Sequence, residues 1–468
     1  MNTIKEGDFV VLRGSDNGRL VQVDRKKPVF FGKKKINIHA AIGESFGSVF
    51  ELYNMNLRKI TAAEYKKRCS ECEVPGGDAQ TTGQDNRNLV DNNNSQRLTR
   101  EDIETFKADG TSGETIVRTL VENSATFRDK TEYSQRKYLH KKQKKYQPHL
   151  TLERPTARLL AEVYYSQSPL KIGNMRVDSL AQMLTCCNVR SGGRYMVFDS
   201  WLGLLTAAVL ERLGQDGSVV QVYAGHGPSS SYRQAVNALN LPEELLHSTL
   251  LELPYARACA LLAGSASSET PAEDVPKDGP SFEVEMAEAS EDSLLANNSG
   301  TKAAKQQLES NDKSTAATDP KVCLALLSLG MPVRLKTVAP PDIPKNDYKD
   351  AERAVRKQRR MQEQERALGL LRTRSVDGLL VASKHHPTAI VLSLLEFVAP
   401  SRPFAVFCSY REPLVDCYAQ LKDAGSAVFL KISESWLRSY QVLPDRTHPA
   451  INMSGGGGYV LSGIKVTG

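Results

Sequence analysis

The sequence has no apolar run long enough to cross a bilayer and no early apolar segment shaped like a secretory leader, so no membrane partner is expected. Cysteine is scarce, eight in 468 residues, which argues against a disulfide framework and for a reducing, intracellular compartment. The one CxxC, Cys69 to Cys72, has no second pair in reach. A lone pair in a polar segment is a poor zinc site. The adjacent His385 and His386 point apart and have no Asp, Glu or Cys nearby in the sequence, and Gly455 to Gly458 lacks the Lys-Ser/Thr of a phosphate loop. No metal is therefore expected. A large excess of charge is missing too: the formal net charge is only +7, so any polyanionic partner must be read from local clusters.

What is present falls into four stretches, since a chain of this length exceeds a single core. Residues 1–69 carry short alternating apolar runs around 9–12, 20–23, 29–31, 36–38 and 49–52, separated by Gly, Asp and Asn. That pattern predicts a small β-barrel or sandwich. Lys26, Lys27, Lys33, Lys34 and Lys35 lie in its turns, either as a solvated rim or as an RNA contact. Residues 70–97 lose large apolar side chains and read as a flexible linker. Residues 98–150 read as helical and basic. Thr99 is a candidate N-cap with Asp102 in the first turn, and Ile116, Val117, Leu120 and Val121 share one face of the next helix.

The basic part of this stretch sets Arg128, Lys130, Arg136, Lys137, Lys141, Lys142, Lys144 and Lys145 among Phe127, Tyr133, Tyr138 and Tyr146, with only Asp129 and Glu132 opposing them. Lysines neutralise phosphates, and the aromatic rings either stack on bases or pack the helix down. The alternatives are a solvated helix face or a nuclear-import signal at 141–145. Eight cations against two carboxylates is more bias than a surface helix needs, which favours RNA binding.

Residues 151–468 alternate apolar strands and helices in the order of a doubly wound sheet, with a disordered insertion expected at 264–345, although 322–336 looks ordered. A charged helix is expected over 346–374. The chain is expected to close with an antiparallel hairpin between 441–446 and 454–461. The organising stretch is VFDSWLGLLT at 197–206, a strand running through a tight turn into a helix expected at 207–213. In open α/β sheets ligands bind beyond the carboxyl ends of the strands, and the turn after the first strand is glycine-rich because the backbone must approach the ligand. Here Asp199 and Gly203 are in place, but Trp201 and Leu205 occupy two glycine positions. The second strand ends in Ala224 rather than an acid for a ribose, followed by Gly225 and Gly227. The third ends in Ala382-Ser383-Lys384, with no carboxylate for work on a ring nitrogen. Three losses together describe a cofactor fold kept for packing and binding.

Several unusual strings carry a resemblance: EGDFV at 6–10, IGESFG at 42–47, NSATFRDKT at 123–131, DSLAQML at 178–184, FVAPSRP at 397–403 and YQVLPDR at 440–446. The chain resembles the family of non-catalytic subunits of the eukaryotic tRNA adenine-58 N1-methyltransferase, the Trm6/Gcd10 type. The resemblance covers nearly all of it apart from the linker and the insertion. It implies an α/β fold in which a small N-terminal β-barrel-like domain precedes a Rossmann-like methyltransferase-type domain with a degenerate cofactor site. It also implies no catalytic residue and no cofactor in this chain, S-adenosylmethionine in a catalytic partner, an α2β2 heterotetramer, a T-loop adenine of tRNA as the target, and a nuclear setting. Two other expectations compete with it: a self-sufficient RNA methyltransferase with an atypical cofactor loop, and a pure scaffold for the catalytic partner.

Overall fold

The structure is a computed structural model and describes residues 3–14, 18–32, 34–53, 55–65, 95–109, 111, 113–146, 149–225, 230–264, 345–442, 447–451, 453 and 455–466. Outside these lie most of the expected linker, Cys69 and Cys72, nearly all of the expected insertion with its 322–336 stretch, His226, Gly227 and Lys33, together with the side chains of Lys34 and Lys144. By packing the chain divides into two units, Met1–Ser267 with Arg356–Gly468, and Ser268–Val355. The second is described only over the start of one helix. Among the described residues no helix is long and apolar enough to cross a membrane.

Six short strands open the chain: β1 (Phe9–Arg13), β2 (Gly18–Gln22), β3 (Val29–Phe31), β4 (Lys34–Ile36), β5 (Val49–Tyr53) and β6 (Asn56–Ile60). β3 and β4 form their own hairpin, while β2-β1-β7-β5-β6 make an antiparallel sheet in which β7 is the late strand His149–Glu153. Leu150 and Leu152 on β7 join Val10, Leu12 and Phe50 in one core, and the intervening His149, Thr151 and Glu153 are partly exposed. This is the period-two pattern of a half-buried strand. The boundary expected at 150/151 thus falls inside β7. The chain leaves the sheet after β6, builds a helical excursion, and returns to its middle.

That excursion comprises α1 (Arg100–Ala108), α2 (Gly113–Glu122) and α3 (Glu132–Tyr146). Thr99 and Asp102 cap α1 reciprocally: the Asp102 amide donates to Thr99 Oγ1 at 3.2 Å and the Thr99 amide to Asp102 Oδ2 at 2.9 Å. The Thr99 amide and hydroxyl, both donating to the carboxylate, hold the exposed Asp102 carboxyl below its ordinary pKa. Ile116, Val117 and Leu120 are buried, as their helical spacing requires.

The rest of the first unit is organised on a seven-stranded sheet. Its strands are β8 (Arg194–Asp199), β9 (Ser218–Tyr223), β10 (Leu250–Pro254), β11 (Gly378–Ala382), β12 (Pro403–Cys408), β13 (Ala427–Glu434) and β16 (Tyr459–Lys465), and a two-residue hairpin of β14 (Tyr440–Gln441) and β15 (His448–Pro449) lies apart. The order is β10-β9-β8-β11-β12-β16-β13. All neighbours are parallel except those of β16. The expected closing hairpin is thereby corrected: the last strand inserts between β12 and β13, and Gln441 pairs with His448, while 443–446 and Ser454 lie outside the described residues. The apolar run in β16 needs burial on both faces, which only an interior position supplies.

Successive strand residues feed two opposite layers. Tyr195 and Val197 pack with α4 (Ala157–Gln167), α5 (Val177–Cys186) and α6 (Leu204–Leu213), whereas Met196 and Phe198 pack with the helices Pro387–Leu395 and Glu412–Asp423 and the end of Lys345–Arg372. The strand order reverses at β8, so the crevice between the carboxyl ends of β8 and β11 is where a ligand of this fold belongs.

The two sheets are tied by Asn240. Its Oδ1 accepts from the Phe9 amide and its Nδ2 donates to the Phe9 carbonyl, both at 2.7 Å. The short side chain also tolerates the left-handed φ of 52° at this position. Asn240→Ala leaves two partly buried backbone groups of β1 unpaired. We expect a loss of about 1–3 kcal/mol in denaturant unfolding.

Candidate functional site

At the crevice, β8 ends in Asp199, which is 1% exposed. Its carboxylate accepts from the amides of Trp201 at 2.9 Å, Leu205 at 2.9 Å and Thr206 at 3.3 Å. The last two are orphan donors of the first turn of α6, the groups that would otherwise receive a phosphate or carboxylate from a ligand, and the Trp201 amide belongs to the turn before it. The chain's own carboxyl takes them. This capping explains why α6 starts at Leu204, earlier than the expected residue 207. Leu205 accordingly sits in the helix, 1% exposed in the core, and not across the crevice.

Gly203 is the hinge of the turn, with a φ of 75° that favours glycine. A Cβ added there would meet the carbonyl oxygen of Tyr232 at 2.0 Å. The close backbone approach that glycine permits is therefore spent on the chain's own segment 230–238, whose Ala235 amide donates to the Leu202 carbonyl at 2.9 Å. Trp201 lays its indole against Gly173, and Lys384 Nζ stands 5.1 Å from the centre of the indole ring system. The aromatic face and the ammonium attract each other there. Ala382 is fully buried and its carbonyl accepts from the Ser200 amide at 3.0 Å, while Ala224 packs against the opposite layer. The positions that would address a cofactor are turned inward to neighbouring chain. The residues here do not fit S-adenosylmethionine.

Gly455 to Gly458, which lacks the pattern of a phosphate loop, is tied down by side chains from α5 and the residue before it. The guanidinium of Arg176, 4% exposed, donates to the Gly455 carbonyl at 2.8 Å and to both Asp178 oxygens at 2.7 Å, and Ser179 donates to the Gly457 carbonyl at 2.7 Å. A side chain at 457 would collide with that guanidinium at 2.9 Å. Glycine gives the buried arginine its room.

The basic segment forms a second surface. Phe127 and Leu139 are buried with Val117, and Tyr138 and Tyr146 pack against them. Those rings hold the helix in place and are not free for bases. Gln135, 3% exposed, reinforces the fold by donating to the carbonyls of Arg128 at 3.2 Å and Lys130 at 2.9 Å. Nothing in the sequence singled it out. Lys130 and Lys142 lie over Tyr138, and Lys145 lies over Tyr146. Arg136 pairs with Glu132. Arg128, Lys137, Lys141 and Lys145 are exposed, and the last three recur every four residues, one stripe along α3.

The parallel sheet with an antiparallel strand inserted near one edge, and the ligand crevice at its reversal point, define a Rossmann-like protein of the methyltransferase type whose cofactor turn is closed. Residues 3–295 match the model of the Gcd10p family, and the chain belongs to that family. It is 42% identical to the mouse tRNA (adenine(58)-N(1))-methyltransferase non-catalytic subunit, with 99% of this chain and 88% of the relative covered. It is 32% identical to the subunit of that name from Dictyostelium discoideum, with 100% and 80% covered. Among solved structures it is similar to an SAM-dependent O-methyltransferase from Thermotoga maritima, at a TM-score of 0.45 and 11% identity over 100% of this chain and 96% of the other. It is also similar to a tRNA (m1A58) methyltransferase from Aquifex aeolicus, at a TM-score of 0.44 and 10% identity over 100% of both.

Complete burial pushes the Asp199 carboxyl up to about 6, against the three amide donors and Lys384, which favour its charged form. Between pH 4 and 6 the folded chain therefore binds more protons at this site than the unfolded chain. Its contribution to stability is present at low pH and falls as pH rises through that window, by on the order of 3 kcal/mol. Asp199→Asn cannot titrate. Unfolding measured at pH 4 and pH 7 should show the larger loss in the parent, and parallel profiles would remove the buried carboxyl from the account.

Proposed function

We propose that this chain is the non-catalytic, tRNA-binding subunit of a tRNA N1-methyladenosine methyltransferase acting on adenine 58 of the T-loop. It works beside a catalytic subunit of the same architecture, which holds S-adenosylmethionine. The observation that carries this reading is the turn at Gly203, where the Tyr232 carbonyl stands in the space that a ligand approaching the turn would need. A chain that keeps the sheet and closes that turn has given up the methyl donor's place and retained its surfaces. The relatives' names, non-catalytic subunit of a tRNA methyltransferase, agree with that division of labour.

The RNA-binding half of the proposal rests on α3. Tyr138 and Tyr146 are committed to packing, and the exposed stripe of Lys137, Lys141 and Lys145 acts through phosphates. Arg128 adds an exposed cation in the turn before the helix, while Lys130 and Lys142 are half-buried over Tyr138 and Arg136 pairs with Glu132, so these three contribute less. Assembly as an α2β2 heterotetramer and residence in the nucleus belong to the same proposal, the latter supported by the lysine cluster at 141–145. So does a barrel-like curl of the amino-terminal sheet, supported by the single core that all five of its strands share.

Replacing Lys137, Lys141 and Lys145 together by Gln should weaken tRNA binding by the subunit complex. It should also lower the slope of log affinity against log salt by about 0.9 for each duplex phosphate contact removed. An unchanged slope with intact assembly would make the chain a scaffold.

A further inference from the structure

The hairpin β3–β4 carries a surface that packing does not explain. Val29 and Phe31 pack against the amino-terminal core, so alternation turns Phe30 outward, where it remains 53% exposed. Phe30 pairs directly with Lys35, which puts the ring and an exposed ammonium stem side by side on the outer face. Arg19 on β2 reaches the same strand: its guanidinium donates to the Phe30 carbonyl at 2.5 Å. Lys26 and Lys27 are exposed just before the hairpin. Their amides donate to Asp24 Oδ1 at 2.7 and 3.3 Å, which fixes the turn, and Lys27 Nζ stays 3.8 Å from the same carboxylate. Lysines at a sheet edge need no further explanation, because they keep edges from pairing. A half-exposed phenylalanine paired with a lysine at such an edge presents a ring and a charge together.

We propose that this outer face, Phe30 with Arg19, Lys26 and Lys35, is a second RNA-contacting surface that holds an unstacked nucleotide. The ring supplies a face for one base, and Lys35 beside it, with Arg19 and Lys26 on the flanking segments, takes the flanking phosphates, the pairing by which sheet surfaces grip single-stranded RNA. The proposal rests on the RNA-binding reading of the chain and adds to it a chemistry that α3 lacks. On α3 Tyr138 and Tyr146 are half-buried against the small core; here a ring and a cation are presented together.

The test uses the full chain in complex with its catalytic partner, with tRNA as the probe. Phe30→Ala should weaken binding about five-fold to about a hundred-fold, the range for losing one stacked base, with no change in salt slope. Phe30→Trp should keep parent affinity. Lys26→Gln with Lys35→Gln should instead lower the slope by about 0.7 per lost single-strand contact. Parent affinity in Phe30→Ala, while the α3 triple variant still binds weakly, would overturn this surface and leave the general reading standing. Parent affinity in both would overturn the two together.

Discussion

Much of the carboxyl-terminal part of the chain depends on where the Asp199 carboxylate goes. It sits at the end of the first parallel strand and satisfies three backbone donors of its own chain. Because it does, α6 begins immediately after Gly203 and draws Leu205 into the core. With α6 in that position the segment 230–238 can lie on the turn, the Tyr232 carbonyl above Gly203 and Ala235 bonded to Leu202. A helix amino terminus and a glycine hinge are the two features that make such a turn attractive to an anionic or nucleotide ligand. Here both are answered from within. The cost is a carboxyl held out of water, and its raised pKa records that cost.

The sheet was legible because its strands are apolar on both faces. A run such as Tyr-Met-Val-Phe on β8 admits few other homes, and its residues do alternate between two layers. The placement of β7 was hard to read because the basic segment before it dominates the composition, and a five-residue alternating strand does not say which sheet it joins. The closing strand was misplaced because antiparallel neighbours are assumed from closeness in sequence, whereas β16 is inserted between two earlier strands.

The turn itself was read from missing side chains, and that reading located the right place for an incomplete reason. Trp201 is against Gly173 and Leu205 is in the core. What occupies the space over Gly203 is a backbone oxygen, and no side-chain pattern announces a backbone atom. The aromatic residues of the basic segment show the converse. Phe127, Tyr138 and Tyr146 have the composition of a stacking platform, yet they line a small core, and only their burial distinguishes the two uses. That division leaves α3 with an exposed cationic stripe, the feature on which the proposed RNA-binding role rests.

The central claim, that the methyl donor's place is closed in this chain, is tested most directly by titrating S-adenosylmethionine calorimetrically into the purified chain without its partner. The account predicts no saturable heat, alongside clear binding by the complex with the catalytic subunit. Saturable micromolar binding to the isolated chain would contradict it and would restore the reading of a self-sufficient methyltransferase with an atypical turn.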